Sequence, residues 1–142
     1  MNITAIILGM THQVVTATPG MSVAEAVRLL AERRIGAVPV LDGDEVVGIM
    51  SERDVLYCLA REGAAALERT VGEVMTAPAH TVEGAQSVLG ALGLMTERRM
   101  RHLPVVEEGR MVGFVSIGDL VKYRMDRIEQ DAQAMRDYIQ SA

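Results

Sequence analysis

Residues 35–56 read IGAVPVLDGDEVVGIMSERDVL, and residues 100–121 read MRHLPVVEEGRMVGFVSIGDLV. A shift of 65 positions lays Pro39 on Pro104, Val40 on Val105, Val47 on Val112, Gly48 on Gly113, Ser51 on Ser116 and Asp54 on Asp119. The shift holds upstream without a gap: Thr16 falls on Thr81, Ser22 on Ser87, Val23 on Val88, Ala26 on Ala91, and Glu32-Arg33-Arg34 on Glu97-Arg98-Arg99. A gapless match of this length marks an internal duplication, and a duplication decides the architecture before any single residue does.

Each copy carries the same local grammar. Val14–Thr16 reads as a short strand stopped by the Pro19-Gly20 turn. Ser22 opens a helix, and Glu25 three residues later completes the pattern of a capping box. Val23, Ala26, Val27, Leu30 and Ala31 form one apolar stripe at helical spacing. Ala37–Leu41 has the length and apolarity of a strand, Asp42-Gly43-Asp44 is hairpin chemistry, and Glu45–Met50 returns. A second helix starts at Ser51 and runs to about Glu62. Gly63–Ala66 reads as a small-residue linker, and Thr70–Glu73 as another capping box. The expected fold is α+β, two β-α-β-β-α repeats related by pseudo-twofold symmetry, packed because neither half alone builds a sufficient core. The expected divisions are 1–66, 67–124 and a helical extension over 125–142. In that extension Val121, Met125, Ile128, Ala132, Met135 and Ile139 follow alternating spacings of four and three, a short coiled-coil-like seam. The seam serves either to cover its own module or to contact a second chain.

Composition narrows the function. Hydrophobic residues make up 49% of the 142, which excludes a disordered chain. A formal charge of −5, no Trp and one Phe argue against a nucleic-acid surface or an aromatic stacking platform. No apolar run approaches the ~18 residues that span a bilayer. Cys58 is the single cysteine, so no internal disulfide forms, and a cytoplasmic location is expected. His12, His80, His102 and Cys58 lack metal-ligand spacing, and no P-loop, Gly-x-Gly-x-x-Gly or Ser-His-Asp order is present. Cys58, beside Val55 and Leu59 on the second helix, reads as a core thiol, and Arg33-Arg34 and Arg98-Arg99 as solvated helix ends.

The chemistry lies in the twice-repeated Gly-x-x-Ser-x-x-Asp. An ionised Asp only accepts hydrogen bonds, so it can receive both protons of a vicinal diol. A helix starting at Ser51 or Ser116 presents free N–H groups suited to a phosphate. The glycine ahead of each segment allows close approach to the backbone. The structural alternative is a capping box, in which Ser and Asp serve only the helix. The two roles are compatible.

The stretches VPV, GIMSERD, LPVV, GFVSIGD and the connecting VMTAPAHTV resemble the cystathionine-beta-synthase (CBS) domain family, in the tandem arrangement known as a Bateman module. The resemblance covers about residues 3–122. It implies a non-catalytic regulatory module that binds AMP, ADP, ATP, S-adenosylmethionine or NAD(H) in two clefts, with AMP the favoured ligand. Carried over, Asp54 and Asp119 hold the ribose hydroxyls, Ser51 and Ser116 face ribose or phosphate, and Ile49 and Phe114 pack on adenine. The backbone around His12, Val14 and Thr16, and around Ala77, Ala79 and Thr81, reads the adenine edge. The resemblance also implies a homodimer, with output through an unidentified protein target, and neither nucleic acid nor membrane as a partner. A protein-interaction scaffold with an unused cleft is the alternative, and a small nucleotide-processing enzyme a remoter one. The copies diverge at Gly36-Ala37 against Arg101-His102, and at Arg53 against Gly118. The clefts are therefore expected to differ, with Arg101 and His102 favouring a compact phosphate beside Asp119.

Overall fold

A computed structural model describes residues 1–11 and 13–141. Its elements in chain order are α1 (Ile3–Gly9), α2 (Val23–Arg33), β1 (Ala37–Asp42), β2 (Glu45–Ser51), α3 (Glu52–Glu62), a 3₁₀ helix (Gly63–Glu68), α4 (Val71–Val74), α5 (Val88–Arg98), β3 (His102–Glu107), β4 (Arg110–Ser116) and α6 (Ile117–Ser141). Two antiparallel hairpins, β1–β2 and β3–β4, carry the same register and the same bulge position, between Val40 and Leu41 and between Val105 and Val106. The duplication is thus a duplication of structure. The join between copies places β2 against β4.

Each element has a local cause. Ser22 caps α2 by accepting from the Glu25 amide at 3.1 Å. Ser87 caps α5 in the same way from Gly90 at 3.0 Å. Both helices end on an arginine in left-handed backbone, Arg34 (φ 53°) and Arg99 (φ 54°). That conformation costs a non-glycine residue roughly 1–2 kcal/mol, and it turns the chain sharply out of the helix. Thr70 and Glu73 form the reciprocal capping box of α4.

The cores are two and parallel in composition. One gathers Ala17, Val23, Ala26, Leu30, Val38, Val40, Met50 and Val71; the other gathers Ile3, Ile6, Val82, Val88, Ala91, Met95, Leu103, Val105, Val115 and Leu120. Chain from either side of residue 66 therefore serves both cores: Ile3 and Ile6 pack with the second copy, Val71 with the first.

Two sequence expectations change, and one element is new. The strand expected at Val14–Thr16 does not form; the chain pairs one residue later, in a single parallel bridge from Ala17 to Val40, mirrored by Val82 to Val105. The Ala17 amide donates to the Pro39 carbonyl, and the Ala17 carbonyl accepts from Leu41. The linker at Gly63–Ala66 is a 3₁₀ helix with Ala66 fully buried. Ile3–Gly9 is a helix whose apolar side completes the second core.

Candidate ligand-binding site

Two clefts lie at the join. The larger, about 610 Å³, is lined by Ile49, Ser51, Glu52, Arg53, Asp54, Tyr57 and Thr76 from the first copy and its linker, then Pro78, Ala79 and His80, and by Arg98 through His102. The smaller, about 310 Å³, is lined by Phe114, Ser116 and Asp119 of the second copy, with Gln13–Val15 and the segment Arg34–Ala37. Gly36 and His102 border both. Each cleft therefore takes its Ser-x-x-Asp helix start from one copy and its pre-strand segment from the other.

This crossing corrects the sequence reading of the divergent positions. Arg101 lies across from Asp54, not beside Asp119, and the small pair Gly36-Ala37 faces Asp119. The larger cleft gathers Arg53, Arg98, Arg99 and Arg101, whereas Arg34 is the arginine of the smaller one. The arginines expected as solvated helix ends thus include three, Arg34, Arg98 and Arg99, that line clefts.

The two aspartates differ in engagement. Asp54 Oδ2 accepts from the Ser51 amide at 2.9 Å and the Ser51 hydroxyl at 3.0 Å. Its Oδ1 accepts from the Thr76 hydroxyl at 2.8 Å. Asp119 Oδ2 accepts from the Ser116 amide at 2.8 Å. Among the described residues its Oδ1 accepts nothing, and it lines the smaller cleft. Ser51 and Ser116 return the bond to the amides of Asp54 and Asp119. The capping boxes are therefore real in both copies, and only Asp119 keeps one oxygen uncommitted.

Thr76, which the sequence reading passed over, is held by a backbone bridge to Ile49, with each amide donating to the other's carbonyl. The repeat register does reach it, because Met75-Thr76 falls on Met10-Thr11. That same segment explains the glycines. A Cβ on Gly48 would sit 2.6 Å from Met75 Sδ and 2.8 Å from the Thr76 carbonyl oxygen; on Gly113 it would sit 2.7 Å from Ile7 Cδ1. The glycines thus admit neighbouring chain, which corrects the expectation that they open the backbone to ligand.

His102 joins the clefts. Its ring stacks on Phe114 with centroids 5.5 Å apart and an interplanar angle of 13°. Burial, followed by the positive charge of Arg101, holds its pKa below the ordinary imidazole value, partly offset by Asp119 and Glu52. Burial thus favours the neutral imidazole, which offers a flat aromatic face and a hydrogen-bonding nitrogen. Of the remaining expected residues, Ile49, Ser51, Arg53 and Ala79 line the larger cleft, and Val14, Phe114 and Ser116 the smaller. Thr16, Ala77 and Thr81 line neither, and His12 lies outside the described residues. Cys58 is buried as expected, and burial pushes its thiol pKa up.

The family model described as "CBS domain" matches residues 3–61 and 71–126. The chain belongs to the CBS-domain family. It is 35% identical over 124 residues to the CBS domain-containing protein CBSX3, described as mitochondrial, of Arabidopsis thaliana, covering 84% of this chain but only 60% of that relative's length. The solved structure of a candidate signal-transduction protein with CBS domains from Burkholderia ambifaria superimposes with a TM-score of 0.83 at 38% identity, covering 89% of this chain and 95% of that one. The structure of CBSX2 in complex with AMP superimposes with a TM-score of 0.76 at 26% identity, covering 88% and 96%. No helix among the described residues is long and apolar enough to cross a membrane.

Proposed function

We propose that this chain is a regulatory module that binds adenine nucleotides in its two clefts without transforming them, and that the clefts prefer different phosphates. The carrying observation is that each cleft is completed by both copies, so a ligand there bridges them and stiffens the join. Adenine nucleotide is favoured because an acceptor-only carboxylate matches a ribose diol, Ile49 or Phe114 supplies an apolar face, and the related CBSX2 is solved with AMP. In the larger cleft, Arg53, Arg98, Arg99 and Arg101 around the α3 N-terminus suit a di- or triphosphate. In the smaller cleft, the open oxygen of Asp119, the His102–Phe114 stack and a single arginine suit an adenosine with at most one phosphate. NAD(H) fits the larger cleft better by the same reasoning, and S-adenosylmethionine the smaller.

The test is calorimetric titration with AMP, ATP, NADH and S-adenosylmethionine, with chromatography of the same samples for turnover. Saturable binding with intact nucleotide is expected. Hydrolysis would turn the reading to an enzyme, and silence with all four ligands to an interaction scaffold.

A further inference from the structure

We propose that α6 pairs with α6 of a second copy as a parallel, in-register, two-stranded coiled coil; this stands independently of the ligand reading. The last apolar side chain of α6 that packs on the body is Tyr123, against the core that holds Leu120. From Met125 to Ser141 every residue is exposed, a projecting rod of roughly 25 Å at 1.5 Å per residue. An isolated helix of that length is marginal in water. Its apolar seam is uncovered: Met125 and Ile139 are each 64% exposed, with Ile128 and Met135 between them similarly open. The seam steps by three and four, which sets Val121, Ile128 and Met135 at d and Met125, Ala132 and Ile139 at a. Ala132 gives a narrow central layer on which two helices can close.

The flanking charges choose the occupant and its direction. The e positions are Lys122, Glu129 and Arg136; the g positions are Arg124, Asp131 and Tyr138. In a parallel pair each g residue meets the e residue five positions on in the partner. Arg124 then meets a Glu129 and Asp131 meets an Arg136, every charged contact attractive. In the antiparallel pairing that keeps all six layers, Glu129 meets a second Glu129, Asp131 a second Asp131, and Lys122 an Arg136, all repulsive. Such flanking pairs govern partner and orientation more than strength. The pattern is self-complementary, which points to a second copy of this chain and not to an unrelated helix.

Sedimentation of the full chain at micromolar concentration reads the association. The wild type is expected as a dimer, and Ile128→Asp is expected to dissociate at tenfold or more higher concentration; because Ile128 is exposed, that change leaves the body folded, which circular dichroism checks. Glu129→Arg is expected to weaken the dimer, and adding Arg124→Glu to restore it. Met135→Cys is expected to cross-link to itself under mild copper-phenanthroline oxidation. A monomeric or trimeric wild type, an Ile128→Asp variant that associates as tightly as the wild type, or cross-linking of Met135→Cys only to Met125→Cys would overturn the proposal.

Discussion

The clefts around Asp54 and Asp119 descend from one repeated stretch and keep the same helix cap, yet they spend their aspartates differently. Asp54 is bound on both oxygens, by Ser51 and by Thr76. Asp119 is bound on one. The cause is the chain that runs past each cleft. Thr76 is stitched to Ile49 by two backbone hydrogen bonds, whereas among the described residues no such bridge joins Thr11, its counterpart, to Phe114. Duplication preserves what a segment does for itself and leaves free what it does for its neighbour. The first cleft has thus become the tied and basic one, the second the open and apolar one.

The largest expected effect separates the aspartates. Asp119→Ala should weaken adenylate binding in the smaller cleft by tenfold or more, since losing a charge-assisted pair of hydrogen bonds costs about 1.5–3 kcal/mol. Asp54→Ala should show itself first as lost stability, about 1 kcal/mol beyond the cap that both variants lose, because it alone also releases the Thr76 hydroxyl. Calorimetry and melting on both variants measure this; equal loss of affinity without loss of stability would erase the distinction.

Next come the glycines. Gly48→Ala drives its new methyl toward a backbone carbonyl tied into a bridge, and should cost about 1–3 kcal/mol, as overpacking does. Gly113→Ala meets the Ile7 side chain, Cδ1 at 2.7 Å and Cγ1 at 2.8 Å, but no backbone atom, and should cost less. Thermal melting ranks the two, and a reversed order would mean the linker is looser than its hydrogen bonds imply.

Smaller still is the charge effect. Arg99→Gln with Arg101→Gln should reduce ATP affinity several-fold and leave AMP nearly unchanged, because exposed ion pairs contribute about 0.2–1 kcal/mol each. The loss should shrink as salt rises. Equal losses for AMP and ATP would place the phosphates elsewhere.

The smallest effect is on pH. His102 has a folded pKa below its unfolded one. Between the two values the unfolded chain binds the proton and the folded chain does not. The stabilising contribution is therefore present above the unfolded pKa and is lost as pH falls through the folded one. Melting temperature should drop as pH is lowered below the usual imidazole range, and His102→Gln should flatten that drop. An unchanged slope in the variant would exclude His102 as its source.

The sequence made local structure legible. The 65-residue register, the Ser22, Ser51, Thr70 and Ser116 caps, the two hairpins and the long last helix are all decided by residues within a turn or two of one another. What it hid is non-local. Arg101 could be assigned to a cleft only by knowing that each copy finishes the other's site. Thr76 became visible only when β2 was seen to hold it. The role of helix Ile3–Gly9 has no local signal, because the core it completes begins some seventy residues away, at Val82. The glycines conserve space in either reading, and only the atoms beside them show whose space it is.

The most direct test of unequal nucleotide clefts is a calorimetric titration of the wild-type chain with ATP and, separately, with AMP, repeated on Asp119→Ala. The account predicts two classes of site, with ATP tighter in the arginine-lined cleft and the AMP-preferring class lost in the variant. Two identical sites untouched by Asp119→Ala, or no heat from either nucleotide, would contradict it.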